Sequence, residues 1–136
     1  MLISSDDRNL IFDAIEAIEN KKLLTVSGYD NIPTLPGVYA IYKNQEMVYI
    51  GQSKAIQRRV KSKCHPYYND DVRVAWILVR DKKLRLALES ALIFCFEPEG
   101  NTVMPVDFYA DDRIDQLIIG IKRKQSFGGT GAVKQA

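Results

Sequence analysis

Two triplets of glycine and tyrosine, on either side of a short polar segment, constrain the fold of this chain most. They are Gly37–Tyr39 and Tyr49–Gly51. The residues around them, 38–42 and 48–50, are β-branched and aromatic, and the polar stretch 43–46 lies between them. This pattern predicts a β-hairpin that places Tyr39 and Tyr49 near one another on neighbouring strands. Two phenols can hold and polarise a water molecule, but the triplets alone are equally typical of an ordinary sheet.

A basic segment follows the second triplet. Residues 54–63 are rich in helix formers, and Ser53 is a candidate N-cap. Arg59 and Lys63 lie four residues apart and would share one face of such a helix. The segment is either a solvated basic face or a set of cations directed at a phosphate, which a planar guanidinium suits.

A third strand and an apolar helix come next. Segment 72–79 predicts a mostly buried strand, and Asp81 can cap the helix after it. Between residues 86 and 96 of that helix only Glu89 and Ser90 are polar, so we expect the helix to be largely buried. A carboxylate there needs a partner, either a structural Arg or Lys or a bound cation such as magnesium.

Together, and in this order, these features resemble the GIY-YIG nuclease family over roughly residues 35–103. The match consists of the two triplets, Arg59, Glu89 and a turn with Pro98 and Asn101 after the helix. The resemblance implies an α+β fold in which helices flank a small, three-stranded, largely antiparallel sheet. It also implies hydrolysis of phosphodiester bonds in DNA with one divalent ion, Mg²⁺ or Mn²⁺.

The resemblance implies roles for individual residues of this chain. Glu89 would bind the metal, and Arg59 would stabilise charge on the scissile phosphate. Tyr39 would act as the general base or relay a proton to it, Tyr49 would orient the water or the phosphate, and Asn101 would brace the site. Gly51 would allow backbone and substrate to approach closely. The residues expected to contact nucleic acid are Gly51, Gln52, Lys54, Arg58 and Lys63.

Two positions depart from the family pattern. Many members have a tyrosine or histidine one helical turn after the arginine, where this chain has Lys63. His65, its only histidine, is predicted just past the helix end and is the candidate substitute. Repair-type members often have a basic residue after the second triplet, where this chain has Gln52. These departures support a rival function, a nucleic-acid-binding module that has lost catalysis; a protein-interaction domain is a third hypothesis.

The 136 residues are expected to form one domain. Its parts would be a helical N-terminal extension (1–34), the nuclease core (35–103), and a C-terminal helix with a mobile tail (104–136). We predict amphipathic helices over 6–22, capped by Ser5 or Asp6, and over 111–124. These helices could cover the sheet or form the interface of a homodimer.

The charge is unevenly distributed along the chain. Residues 43–85 hold eleven Lys or Arg against four Asp or Glu, although the net charge of the whole chain is only +2. This block coincides with Arg59 and Lys63 and suits a nucleic-acid backbone; the alternative is a solubilising surface.

The sequence also predicts a cytoplasmic protein with no membrane partner. There is no run of about 20 apolar residues and no signal-peptide pattern at the start. Cys64 and Cys95 lack the spacing of a paired-cysteine motif, so we expect reduced thiols.

Overall fold

The computed structural model describes residues 5–20, 22–68 and 71–101. Its elements are listed here in chain order: α1 (Ser5–Glu19), β1 (Gly37–Lys43), β2 (Glu46–Ser53), α2 (Ile56–Val60), β3 (Arg73–Leu78) and α3 (Lys82–Phe96). A short 3-10 turn, Tyr29–Asn31, precedes β1. The three strands form one antiparallel sheet in the order β2-β1-β3. The predicted α+β class is confirmed.

The predicted hairpin is formed by β1 and β2. Its two-residue turn, Asn44-Gln45, has positive φ angles of 53° and 69° at these residues, as a turn that follows the sheet twist requires. Ile41 pairs with Tyr49 and Tyr42 with Met47, so the intervening residue of β2 is bulged out of the ladder. The bulge places Tyr49 on the same face of the sheet as Tyr39.

Helices cover the two faces of the sheet unequally. On one face α1 and α3 bury a large apolar cluster that includes Val38 and Ala40 of β1. On the other face α2 contributes Ile56 and Val60 to a smaller cluster that also contains Tyr39. Tyr39 thus lies on the face of the sheet that α2 covers.

The predicted ends of α1 and α2 are wrong. Helix α1 begins at Ser5, so Ser5 and Asp6 belong to its first turn and do not precede it, and the helix ends at Glu19. Helix α2 is only five residues long and starts after Ala55; the Ser53 hydroxyl instead accepts a hydrogen bond from the Ala55 amide (3.0 Å) within the preceding turn.

The second half of the described chain follows the prediction more closely. Asp81 caps α3 through a 3.1 Å bond from the Leu84 amide to its carboxylate. Strand β3 is less buried than predicted, because only Val74 and Ala75 within it are buried at this edge of the sheet. The predicted helix over 111–124 and the predicted tail lie outside the described residues. Within the described part, no helix has the length and hydropathy needed to span a bilayer.

Candidate active site

Asn101 is bound to the outer edge of β2. Its side-chain oxygen accepts a hydrogen bond from the Ile50 amide (2.9 Å), and its nitrogen donates to the Ile50 carbonyl (2.8 Å). The Gly100 amide donates to the Val48 carbonyl (2.8 Å) one step along the same edge. The chain after α3 therefore occupies the edge of β2 that has no neighbouring strand, which fits the bracing role expected of Asn101.

Glu89 contacts the same edge of β2 further along the strand, at Gln52. Its partly buried carboxylate accepts a hydrogen bond from the backbone amide of Gln52. Burial raises the pKa of Glu89 to about 7, and this hydrogen bond opposes the rise. No cation-bearing side chain is recorded as a partner of Glu89 within the described residues. The alternative that the sequence left open, a structural ion pair, therefore has no support there.

Tyr39 lies directly over Gly51. The two residues are paired across β1 and β2, and Tyr39 is only 1% exposed. A Cβ atom built on Gly51 would stand 2.5 Å from the Tyr39 hydroxyl oxygen and 2.6 Å from Cζ. The absence of a side chain at Gly51 thus lets the Tyr39 ring pack against the backbone, while a close approach of substrate to Gly51 stays a prediction.

Gly51→Ala is expected to displace the Tyr39 ring and to destabilise the fold by about 1–3 kcal/mol, as overpacking does. Denaturant unfolding of the single variants and of Gly51→Ala combined with Tyr39→Ala forms a double-mutant cycle. Because the three atoms nearest to the new methyl group all belong to the Tyr39 side chain, the cost of Gly51→Ala should nearly vanish in the Tyr39→Ala background. Equal costs in the two backgrounds would contradict this packing.

His65 fixes the hydroxyl of Tyr39. Its Nε2 lies 2.9 Å from the Tyr39 oxygen, and its Nδ1 accepts a 3.1 Å hydrogen bond from the Tyr67 amide. In a neutral imidazole, accepting at Nδ1 places the ring proton on Nε2, so His65 donates to the Tyr39 oxygen. The hydroxyl proton of Tyr39 is then directed away from His65. A hydrogen bond received in this way also favours the phenolate.

The prediction that His65 lies just past a helix end is confirmed. It lies beyond the C-terminus of α2 and is 3% exposed. Lys63, by contrast, is exposed and does not share a helix face with Arg59, since α2 ends at Val60. His65, the candidate substitute, thus lies beside Tyr39, whereas a contact between Lys63 and nucleic acid stays a prediction.

The pH dependence of stability tests whether His65 is buried as a neutral ring. Burial, and then the charge of Arg59, lower the pKa of His65 to about 4, against 6.5 for an unperturbed histidine. A depressed folded pKa means that the neutral ring stabilises the fold fully above pH 6.5 and that this stabilisation is lost as the pH falls through about 4. The free energy of unfolding should therefore fall more steeply between these values in the wild type than in His65→Gln. Parallel curves would refute the buried, neutral assignment, since the chain has no other histidine.

Two further tyrosines complete an aromatic cluster around His65. The Tyr49 ring centroid lies 6.2 Å from that of Tyr39 and 5.2 Å from that of His65, with an edge-on arrangement in the second pair. The Tyr67 ring lies 5.8 Å from that of Tyr49, and its hydroxyl donates to the Val48 carbonyl (3.4 Å). Sequence reasoning missed Tyr67, because only its position two residues after His65 associates it with the site.

Arg59 supplies positive charge to this cluster. It is partly exposed on α2 and lowers the pKa values of both Tyr39 and His65 by its charge. Burial is the largest influence on Tyr39 and raises the pKa of its phenol well above the usual range; Tyr49 and Glu89 raise it further, while Arg59 opposes them. The structure therefore brings Tyr39, Tyr49, Arg59 and Glu89 within electrostatic reach of one another.

The other predicted nucleic-acid contacts lie around the rim. Lys54 and Arg58 are exposed on or next to α2, as is Lys63 beyond it. Gln52 is partly exposed, and its side-chain oxygen accepts a 3.0 Å hydrogen bond from Nε of Arg85. Arg85, which sequence reasoning did not single out, is thereby connected to the site.

A cavity lies elsewhere in the described structure, at the hairpin turn. It has a volume of about 610 Å³, and its lining includes Tyr42, Asn44, Gln45 and Arg73. None of the predicted site residues lines it. The candidate site is therefore identified by its chemical groups and not by its size.

Comparison with known proteins yields relatives of one kind. UvrABC system protein C from Pseudothermotoga lettingae is 31% identical over 113 residues, which represent 71% of this chain and 20% of that protein. UvrABC system protein C from Koribacter versatilis is 35% identical over 88 residues, or 56% of this chain and 14% of that protein. The chain thus spans a fifth or less of the length of these two relatives. No protein-family model matches it.

Solved structures that resemble this chain include one domain in several forms. The GIY-YIG N-terminal endonuclease domain of UvrC from Thermotoga maritima, bound to magnesium as its catalytic divalent cation, has a TM-score of 0.43 and 27% identity. That match covers 64% of this chain and 98% of the domain. A point mutant of the same domain, also bound to its catalytic divalent cation, again has a TM-score of 0.43 and covers 65% of this chain.

Proposed function

We propose that this chain, a member of the GIY-YIG nuclease superfamily, is a divalent-metal-dependent endonuclease that hydrolyses phosphodiester bonds in DNA. The observation that carries the proposal is the grouping around the Tyr39 hydroxyl. His65 holds its oxygen, Arg59 and Glu89 both act on it electrostatically, and Tyr49 packs beside it. A phenol, a guanidinium and a carboxylate at one point are the groups that metal-assisted phosphodiester hydrolysis requires.

Glu89 is the residue that would hold the metal. No group of three or more His, Cys, Asp or Glu side chains within the described ranges is arranged to hold an ion unaided. A single carboxylate nevertheless fits magnesium, which often takes one or two carboxylates and fills its remaining positions with water and phosphate oxygens. A bound ion supplies Lewis-acid stabilisation of the phosphate and lowers the pKa of a neighbouring water. The desolvation that raises the pKa of Glu89 also strengthens its attraction for a cation.

Arg59 and Tyr39 would act on the substrate itself. Arg59 has no recorded side-chain partner within the described residues, so its guanidinium is available to bind non-bridging oxygens of the scissile phosphate. Tyr39 would remove a proton from the attacking water, directly or by relay. Its raised pKa makes this role dependent on nearby positive charge, which Arg59 and the cation at Glu89 provide.

The remaining residues would position these groups. His65 is proposed as a hydrogen-bond donor that orients Tyr39 and not as a base, because its ring proton lies on the nitrogen that faces Tyr39. Tyr49 would orient the water or phosphate from the face of the sheet that carries Tyr39. Asn101 would fix the edge of β2 through its two hydrogen bonds to Ile50. Tyr67 joins this supporting set through its amide bond to His65.

The substrate and cellular setting are proposed on broader grounds. The basic block over residues 43–85 contains Arg59 and the exposed cations of the rim, which suits a DNA backbone. One site would cut one strand, so that a double-strand break would need a dimer or two successive nicks. We propose one domain with its nuclease core at 35–103, and a cytoplasmic location, which is consistent with Cys64 and Cys95 not forming a disulfide.

A cleavage assay on labelled substrates tests the proposal. Single-stranded, duplex and branched DNA, together with an RNA of the same sequence, are incubated with magnesium, manganese or a chelator. We expect metal-dependent cutting of DNA by the wild type and by Glu16→Gln, whose glutamate is exposed on α1. DNA binding without cutting under all metal conditions would favour the rival function, a nucleic-acid-binding module without catalysis.

A further inference from the structure

Arg85 is a buried cation that has no anionic partner among the residues that the structure describes. It lies in the first turn of α3, is 6% exposed, and shares only with His65 the status of a buried polar residue in the described part of the chain. Its Nη1 donates to the carbonyls of Arg80 (3.0 Å) and Val79 (3.4 Å), and its Nε donates to the Gln52 side chain (3.0 Å). All of these acceptors are uncharged. Burying a charge among neutral groups is costly, so its retention calls for a functional explanation.

The bond from Arg85 determines how the amide of Gln52 is turned. A guanidinium has donors only, so the oxygen of the Gln52 amide must face Arg85. The NH₂ group of Gln52 then points away from Arg85, and no acceptor for it is recorded among residues 5–20, 22–68 and 71–101. The backbone amide of the same residue donates to Glu89. Gln52 therefore connects the buried cation to the candidate metal ligand.

We infer that Gln52 donates its side-chain NH₂ group to a substrate phosphate beside Glu89, and that Arg85 is the positioning residue that orients and polarises this donor. The inference rests on the proposed function and deepens it by adding a second phosphate-binding point. Arg59 approaches the site from α2, on the Tyr39 face, while Gln52 approaches from the end of β2 with the charge of Arg85 behind it. A charge behind an amide strengthens the hydrogen bond that the amide donates.

Gln52→Glu separates this role from a purely structural one. The substitution preserves shape, gives Arg85 an anionic partner and removes the NH₂ donor. We expect the melting temperature to rise and the affinity for DNA to fall by about ten- to a hundredfold. The affinity falls because a charge-assisted hydrogen bond is lost and because the new carboxylate repels the phosphate. Affinity is measured by anisotropy on a labelled DNA with calcium in place of magnesium. Gln45→Glu adds the same charge at the exposed turn at the other end of the hairpin and should leave affinity within about twofold, because exposed charges are screened by salt.

A double-mutant cycle tests whether Arg85 acts through Gln52. Gln52→Leu and Arg85→Met should each weaken binding, and the double variant should be no weaker than the worse single variant. Arg80→Gln, an exposed arginine in the same segment, is the matched charge control for Arg85→Met. If Arg85→Met does not fold, the pair of Gln52→Glu and Gln52→Leu decides the matter alone.

The outcomes distinguish this inference from the proposed function. Unchanged DNA affinity in Gln52→Glu, or additive losses in the cycle, would overturn the inference while leaving wild-type cleavage intact. Absence of both DNA binding and cleavage in the wild type would overturn the proposed function, and the inference with it. Weaker binding together with a higher melting temperature in Gln52→Glu would support the inference even if catalysis proved to be absent.

Discussion

Glu89→Gln should abolish metal-dependent cleavage, with the single-turnover rate falling by about a thousandfold or more, because charge neutralisation of the phosphate is lost. The amide is isosteric with the carboxylate and can still accept the hydrogen bond from the Gln52 backbone. DNA binding in the absence of metal should therefore change little. The rate is measured on a labelled substrate at saturating magnesium, with Glu16→Gln as the matched helical control.

The same variant should not be less stable without metal. The folded pKa of Glu89 is about 7 and its ordinary value is 4.5, so the protonated form is favoured in the folded state. The corresponding stability is present below pH 4.5 and is lost as the pH rises through about 7. In chelator, the melting temperature of Glu89→Gln should thus rise relative to that of the wild type as the pH increases to 8. A variant that unfolds earlier than the wild type at pH 8 would indicate a structural ion pair instead of a metal site.

Tyr39→Phe should reduce the cleavage rate by about 10²- to 10⁴-fold, the usual contribution of a positioned acid–base group. The ring and its packing over Gly51 are preserved, and the substrate KM should change little. His65 loses the acceptor for its Nε2 proton, so a stability loss of about 1–3 kcal/mol is also expected. Single-turnover rates at several pH values, together with denaturant unfolding, separate the two effects.

The control for this variant is Tyr42→Phe. Tyr42 lies on the same strand but packs against the opposite apolar cluster, so its rate should equal that of the wild type. Full activity in Tyr39→Phe would exclude a proton-transfer role for Tyr39. A similar fall in the cleavage rate of Tyr42→Phe would mean that disturbance of the sheet, and not loss of the Tyr39 hydroxyl, lowers the rate.

The parts of the fold that could be predicted depend on local patterns. The hairpin follows from β-branched residues on either side of a polar turn, and the Asp81 cap of α3 follows from an acidic residue before an apolar run. The ends of α2 were missed because Ser53 and the basic run satisfy the local signals of a longer helix. Tertiary contacts, such as the bond from the Ile56 amide to the Leu35 carbonyl (3.1 Å), fix its start.

The parts of the site that could be predicted were those that the family pattern assigns. The positions of Tyr39, Tyr49, Arg59 and Glu89 follow from ordered motifs. The sequence leaves the role of His65 open, because this role depends on a turn that returns the chain to β1, and no local propensity encodes that path. Arg85 was missed for a similar reason, since its partner, Gln52, is 33 residues away in the sequence.

Nicking of supercoiled plasmid tests the central claim most directly. With magnesium, the wild type should convert supercoiled DNA to the nicked circle before any linear product appears, since one site cuts one strand. Chelator should stop the reaction, and Glu89→Gln purified in parallel should not support it. Equal nicking by the wild type and Glu89→Gln, or no nicking by a wild type that binds the plasmid, would contradict the proposal of a metal-dependent endonuclease.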